Sequence, residues 1–283
     1  MAEQKEMFSE CDRFVEAFEK VLKQPKKTRS GVYYTGVDLG TACVVMAVLD
    51  EKREPVAGAC QYADVVRDGM VVDYVGAIRI VSRMKEKIEK ELGITLRFAA
   101  AALPPGTDRL DGGAVKNIVE AAGFEVTALP DEPTAANALL KLKDGTIVDI
   151  GGGTTGISVV ENGEVTAVDD EATGGTHFSL VIAGSYGKPY EEAELMKRDF
   201  RTHRELFPVI KPVIEKIGVL IQIMLKGKKT PQLVLVGGSS CMTGIEDEIE
   251  RVTGIPTYKP KNPMFVTPLG IALSCKIEED SVL

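Results

Sequence analysis

Soft-metal chemistry has little to work with in this chain. Its 283 residues include only two histidines, His177 and His203, and five cysteines, Cys11, Cys43, Cys60, Cys241 and Cys275. No two cysteines form a C-x-x-C pair, and no His/Cys spacing matches a zinc site, which excludes a zinc-built fold. Scattered thiols in odd number fit a reducing compartment better than a disulfide framework. No apolar run approaches the length of a bilayer span, and the acidic start Met1-Ala2-Glu3-Gln4-Lys5-Glu6 is no secretory signal. Basic charge is also short: 34 Lys and Arg against 42 Asp and Glu give a net charge of −8. That balance disfavours nucleic acid or an anionic membrane surface as the main partner. The expectation is a soluble, cytoplasmic protein with no membrane span. Its 44% hydrophobic content suffices for one large core or two of ordinary size.

What the chain does have is glycine-rich turns flanked by strand patterns. The central stretch is Thr146-Ile147-Val148-Asp149-Ile150-Gly151-Gly152-Gly153-Thr154-Thr155-Gly156-Ile157-Ser158-Val159-Val160. Gly151, Gly152 and Gly153 let the backbone take positive φ and approach a ligand with no Cβ in the way. Consecutive N–H groups in such a turn make a concave nest for phosphate oxygens. Thr154 and Thr155 add hydroxyl donors, and Asp149 is suited to hold water around a magnesium ion. An ordinary glycine-rich hairpin turn is the plain alternative.

Gly151-x-Gly153-x-x-Gly156 also matches the dinucleotide fingerprint, with Asp169 or Asp170 at about the expected distance. That fingerprint needs a helix directly after the glycines. Here the following residues 157–160 alternate and are β-branched, and Asn162-Gly163 is a strong hairpin signal before a third strand at 165–168. The reading is therefore a turn between antiparallel strands. The Walker pattern and its lysine are absent.

An earlier stretch repeats the arrangement. Residues 36–48 again run strand, aspartate (Asp38), glycine (Gly40), threonine (Thr41), strand, with a further strand at 56–62. Two such copies roughly a hundred residues apart suggest duplication at domain scale. Facing hairpins would clamp a polyphosphate.

The rest of the chain reads as alternating helices and strands. Residues 8–23 form an amphipathic helix, and 25–30 a basic linker. Residues 64–73 read as a loop, 75–93 as a helix, and 98–103 as a buried strand ending in a turn at 104–106. A helix at 113–122 and a strand at 124–129 follow. Asp131-Glu132-Pro133 opens the next helix, with Pro133 in its first turn. Thr173 to His177 opens another, where His177 reads as an N-terminal polar residue rather than a base. Helices at 190–198 and 205–226 precede a buried strand that runs into Gly237-Gly238, expected to lead to a helix at 245–254 and to approach an α-phosphate. A short strand is expected at 255–258, and the last helix from Pro268, where small Gly270 and Ala272 allow close helix contact.

Taken in order, these motifs resemble the actin-like ATPase superfamily of actin, DnaK-type chaperones, bacterial filament ATPases and sugar kinases. Val37-Asp38-Leu39-Gly40-Thr41 is similar to its first phosphate loop and Asp149-Ile150-Gly151-Gly152-Gly153-Thr154 to its second. Asp131-Glu132-Pro133-Thr134-Ala135-Ala136 and Pro268-Leu269-Gly270-Ile271-Ala272 look like the two connecting helices, and Leu235-Val236-Gly237-Gly238-Ser239 like the adenosine loop. Within the superfamily, Glu191 to Glu194 with Lys197-Arg198, residues 208–216, Gly238 to Met242 and Met264 to Pro268 resemble the EutJ family of ethanolamine utilization.

The resemblance implies an α/β fold of two duplicated ribonuclease H-like domains with a nucleotide cleft between them. One would comprise residues 31–143 plus 268–283 and the other 144–267, preceded by the N-terminal helix and linker at 1–30. ATP with Mg2+ is the implied cofactor. Asp38 and Asp149 would order magnesium-bound water, while Gly40, Thr41, Gly151, Gly152, Gly153, Thr154 and Thr155 hold phosphates. Glu194, Lys197, Gly237 and Gly238 would flank the nucleoside, and Glu132 would position the attacking water. Partners would be ethanolamine-utilization enzymes or microcompartment proteins. The implied function is a chaperone-like ATP-binding protein acting by nucleotide-dependent domain closure. A filament-type scaffold is the alternative, and a sugar kinase a distant third because sugar-pocket insertions are missing.

Three departures point to binding rather than fast turnover. Thr155-Gly156 stands where chaperones have Phe-Asp, Ala42-Cys43 replaces a more polar pair, and no counterpart of the chaperones' catalytic lysine is evident.

Overall fold

The computed structural model describes residues 8–28, 31–67, 70–103 and 113–277. The turn expected at 104–106, part of the linker at 29–30, and two residues of the 64–73 loop lie outside the described residues. Contacts divide the chain into two units, Met1–Lys141 with Phe265–Leu283, and Leu142–Met264.

The first unit is built on a five-stranded sheet. Strands β1 (Tyr34–Leu39), β2 (Cys43–Leu49) and β3 (Pro55–Tyr62) form an antiparallel meander. After a hairpin of two-residue strands, β4 (Val66–Arg67) and β5 (Met70–Val71), β6 (Phe98–Ala101) joins parallel to β1 and β7 (Glu125–Ala128) parallel to β6. The strand order is β3-β2-β1-β6-β7. One face packs Val37, Val44 and Met46 against the helix Tyr74–Leu92 (α2 here, after α1 at Ser9–Lys23) and against α3 (Gly113–Ala121). α2 forms because Ala77, Ile80, Val81, Met84 and Ile88 line one stripe. Asp73 accepts its Gly76 N–H at 2.8 Å, and Gly93, at φ 71°, ends it in left-handed backbone.

The other face carries α4 (Glu132–Leu140) and α9 (Val266–Ser274). A Cβ on Gly270 would overlap the Ala135 carbonyl, and one on Gly36 would overlap the Ala272 backbone. The two helices and β1 thus meet backbone to backbone, as the small residues led one to expect. α9 starts two residues before Pro268. Its first turn tolerates the proline because the N–H there has no intrahelical partner.

The second unit repeats the plan. Strands β8 (Gly145–Ile150), β9 (Thr155–Glu161) and β10 (Glu164–Glu171) form an antiparallel meander, and β11 (Leu233–Val236) and β12 (Thr257–Tyr258) add in parallel. The order β10-β9-β8-β11-β12 matches the first sheet position for position, as a duplication requires. Helices α5 (Gly175–Tyr186), α6 (Tyr190–Arg198), α7 (His203–Met224) and α8 (Ile245–Thr253) complete it. Its core packs Val148, Ile150 and Leu235 against Phe178, Ile214 and Ile217. α7 keeps Pro208 and Pro212 inside its body, because the buried stripe Leu206, Ile210, Ile214, Ile217 and Ile221 runs past both prolines.

Candidate functional site

In a sheet of this order the parallel strands end at one edge, and loops leaving that edge collect functional groups. In the first unit Asp38 lies near the end of β1, in register with Val45. Gly40 and Thr41 occupy the turn into β2, where a Cβ on Gly40 would stand 3.0 Å from the Cys43 carbonyl. Glu132 opens α4 just beyond β7; its N–H donates to Leu103 O at 3.0 Å, and Asp131 caps the helix by accepting from Thr134 N–H at 2.8 Å. Asp38, Gly40, Thr41 and Glu132 are all half-buried.

In the second unit β8 and β9 pair antiparallel, Asp149 opposite Gly156 and Ile150 opposite Thr155. The glycine turn is therefore a hairpin and not a dinucleotide-binding crossover. Gly151 N–H closes it by donating to Thr154 O at 3.0 Å. Behind it stands the start of α5. Gly151 O accepts from Gly175 N–H at 2.9 Å and from Ser239 Oγ at 2.7 Å. Gly152 O accepts from Thr176 N–H at 2.8 Å and from Thr176 Oγ1 at 2.9 Å. In a trans peptide the N–H points opposite its C=O. With the Gly151 and Gly152 carbonyls turned onto α5 and Ser239, the N–H groups of Gly152 and Gly153 point away from that helix. Consecutive N–H groups so directed can cradle an anion, and here they take that direction without the positive φ expected of Gly151, Gly152 and Gly153. Gly174 makes the close approach possible, since a Cβ there would stand 2.9 Å from Gly151 O and Thr154 N.

Asp149 sits beside this nest at the end of β8, in register with Val236. The next residue, Gly237, has φ 88°, and a Cβ on it would overlap Asp149 Oδ1. Only glycine suits both constraints. Gly238 begins a single 3-10 turn, Gly238–Cys241, and α8 opens only at Ile245. Residues 239–244 thus separate the glycine pair from α8, and Ser240 Oγ folds back onto Val236 O at 2.6 Å.

Glu194 and Lys197 lie on the inner side of α6. Lys197 Nζ bonds Glu194 Oε2 at 2.7 Å and donates to Gly175 O at 3.0 Å, which ties the pair to the start of α5. Ser179 Oγ and Arg198 also bind the Glu194 carboxylate. Burial pushes Glu194 up, but the Lys197 charge and its hydrogen bonds outweigh that and hold the carboxyl below its ordinary value. Burial lowers Lys197 despite Glu194 beside it.

Thr155 does not serve as expected. It is fully buried, and its hydroxyl donates to Thr173 O at 2.6 Å; as the first residue of β9 it faces the interior, so it braces the turn instead of offering a donor. Thr154 stays half-buried within the turn. His177 Nδ1 accepts weakly from Gly174 N–H at 3.4 Å, a helix-start role. The bracing donors Thr176 and Ser239 were not singled out from sequence. The Gly174-Gly175-Thr176 run and the serine after the glycine pair were their only signals.

Among the described residues no cluster of three or more His, Cys, Asp or Glu would hold a metal directly, and no helix is long and apolar enough to cross a membrane.

Known proteins resemble this chain in sequence and fold. A family model described as type IV pilus assembly protein PilM matches residues 120–265. The ethanolamine utilization protein EutJ of Salmonella typhimurium is 43% identical over 251 residues, covering 88% of each chain. The crystal structure of ethanolamine utilization protein EutJ from Carboxydothermus hydrogenoformans superposes with a TM-score of 0.89 at 46% identity, over 94% of this chain and 98% of that one. MreB5 of Spiroplasma citri, in a crystal structure bound to AMPPNP, has a TM-score of 0.68 at 17% identity over 86% of this chain and 95% of its own, a likeness of fold alone.

Proposed function

Since this chain belongs to the EutJ family of ethanolamine utilization proteins, we propose that it binds ATP with magnesium and acts in ethanolamine utilization as a chaperone-like, nucleotide-dependent factor. The observation that carries the reading is the nest of Gly152 and Gly153. Their N–H groups are turned outward by four hydrogen bonds to the carbonyls behind them, with the Asp149 carboxylate alongside.

The residues present fit the cofactor. Gly237, lacking a Cβ, lets the Asp149 carboxylate keep its place beside the glycine turn, where a side chain at 237 would displace it. Magnesium, when bound, supplies charge neutralisation for the phosphates. Asp38 and Asp149 would hold its water shell; Gly40, Thr41, Gly151, Gly152, Gly153 and Thr154 would hold phosphate oxygens. Glu194 and Lys197 fix each other's geometry and would present their remaining hydrogen-bonding capacity to the nucleoside, beside Gly237 and Gly238. Glu132 would orient water. Thr155 leaves this set. With a threonine there committed to the interior and no carboxylate after it, hydrolysis is slow and binding is the principal event.

The finer reading is that ATP favours one arrangement of the two units over another by binding it better. That switch assists folding, assembly or reactivation of enzymes associated with a microcompartment in the cytoplasm. Calorimetry with Mg-ATP tests the first step: dissociation constants of roughly 1 μM to 1 mM, the range of metabolite sites, are expected. No detectable heat with wild-type protein, alongside an unchanged fold by circular dichroism, would overturn the reading. Affinity capture from ethanolamine-grown cells, with ATP and with ADP, tests the partners.

A further inference from the structure

His203 has no part in the site as assigned so far, yet it joins two of its walls. The side chain is buried, 5% exposed, at the first residue of α7. Its Nε2 lies 2.9 Å from Lys197 O, at the end of α6 that carries Glu194 and Lys197. Its Nδ1 lies 3.2 Å from Thr243 N and 3.0 Å from Thr243 Oγ1, just after the turn that begins with Gly237 and Gly238.

These partners fix the protonation state. A carbonyl oxygen only accepts, so Nε2 must carry a proton. A peptide N–H only donates, so Nδ1 must present its lone pair. The ring is neutral and singly protonated at Nε2. A second proton, on Nδ1, would face the Thr243 N–H and forfeit that bond, leaving only the Thr243 hydroxyl oxygen to accept from it.

We infer that His203 is the positioning residue that sets the spacing between the α6 wall and the Gly237–Gly238 wall of the nucleoside site, and that protonating it loosens nucleotide binding. The inference rests on the nucleotide reading above. The charged groups around the ring point the same way. Lys259, from beyond β12, holds Ser240 O and Met242 O at 3.2 and 2.8 Å, pairs with Glu246 of α8 at 2.6 Å, and opposes a second positive charge. Asp199, at the end of α6, favours one, but it is engaged by Arg201. Burial lowers the imidazole below its ordinary value, ahead of the Lys197 carbonyl, which raises it.

Two measurements test this. Long-range 15N–1H NMR on histidine-labelled wild-type protein, whose two histidine signals are assigned by the one that remains in His177→Asn, should show the Nε2-protonated tautomer at His203, titrating below about pH 6.5. A Nδ1-protonated ring or an unshifted titration would overturn the inference. Second, calorimetry compares Mg-ATP affinity at about pH 7.5 and pH 5.5. His203→Asn keeps one donor and one acceptor but does not titrate, and protonation of ATP itself is common to both proteins. Wild type should lose roughly three- to tenfold more affinity on acidification than the variant, the size of one hydrogen bond. Equal losses overturn this inference alone. Wild type that binds no nucleotide at either pH overturns the nucleotide reading and this inference with it. Should the variant fail to fold, the tautomer measurement decides.

Discussion

A side chain at Gly237 would have to solve two problems at once. The backbone there is left-handed, φ 88°, and the space beside it belongs to Asp149. Gly237→Ala should therefore cost about 1–3 kcal/mol of stability, the usual cost of a strained backbone position. It should also weaken Mg-ATP binding tenfold or more by displacing Asp149, and urea unfolding with calorimetry reads both. A variant that binds as well as wild type would remove Asp149 from the proposed role. His203 supplies a second prediction at this scale. Its folded-state pKa lies below the ordinary 6.5, so between those two values the unfolded chain binds more protons than the folded one. The stability it contributes is complete above about pH 6.5 and is lost as pH falls toward the folded value. Glu194, whose carboxyl is held below 4.5, loses its contribution only as pH falls below that. Urea midpoints taken between about pH 7.5 and 5.5 should fall for wild type and stay flatter for His203→Asn.

Elements depend on partners far away in the chain, and this is where sequence reading succeeded and failed. The β8–β9 hairpin was legible because its signals are local: β-branched alternation on both sides and Asn162-Gly163, which takes φ 54° and 86° at the β9–β10 turn. The bracing behind the glycine turn was not. Ser239 is 88 residues from the Gly151 carbonyl it binds, and Thr176 is 24 from Gly152. No local pattern encodes such contacts. Thr155 was misassigned because sequence alternation does not say which phase of a strand faces inward. Helix α1 was legible as an amphipathic helix, and its apolar stripe is part of the core. Its Phe18 is fully buried, lies against Gly58, and meets Phe265 edge-on with ring centroids 5.3 Å apart. Phe18→Ala should thus cost about 3–5 kcal/mol, as for a buried phenylalanine, measured by urea unfolding. A loss under about 1 kcal/mol would mean that α1 is held loosely.

Self-association is a question for the molecule as a whole, because the sequence motifs also resemble those of filament-forming ATPases. Open sheets offer edge strands to a second copy unless something blocks them. In the second sheet the outer edge is β10. Glu164, Asp169, Asp170 and Glu171 are all exposed on that strand. The opposite edge, β12, is two residues long. In the first sheet the edge strand β7 is four residues long and carries Glu125, and β3 begins at Pro55. An overall charge of −8 adds repulsion between copies. Charged, short or proline-bearing edges oppose strand-to-strand growth, which favours a switch over a polymer. Sedimentation velocity at about 0.15 M salt, where screening extends over roughly 8 Å, should give the same small species with and without Mg-ATP. ATP-dependent pelleting would reverse the preference and make the filament-type scaffold the better reading. Charge reversal of Asp169 and Asp170 to lysine would then show whether β10 is the growing edge: polymers that persist unchanged would place growth elsewhere.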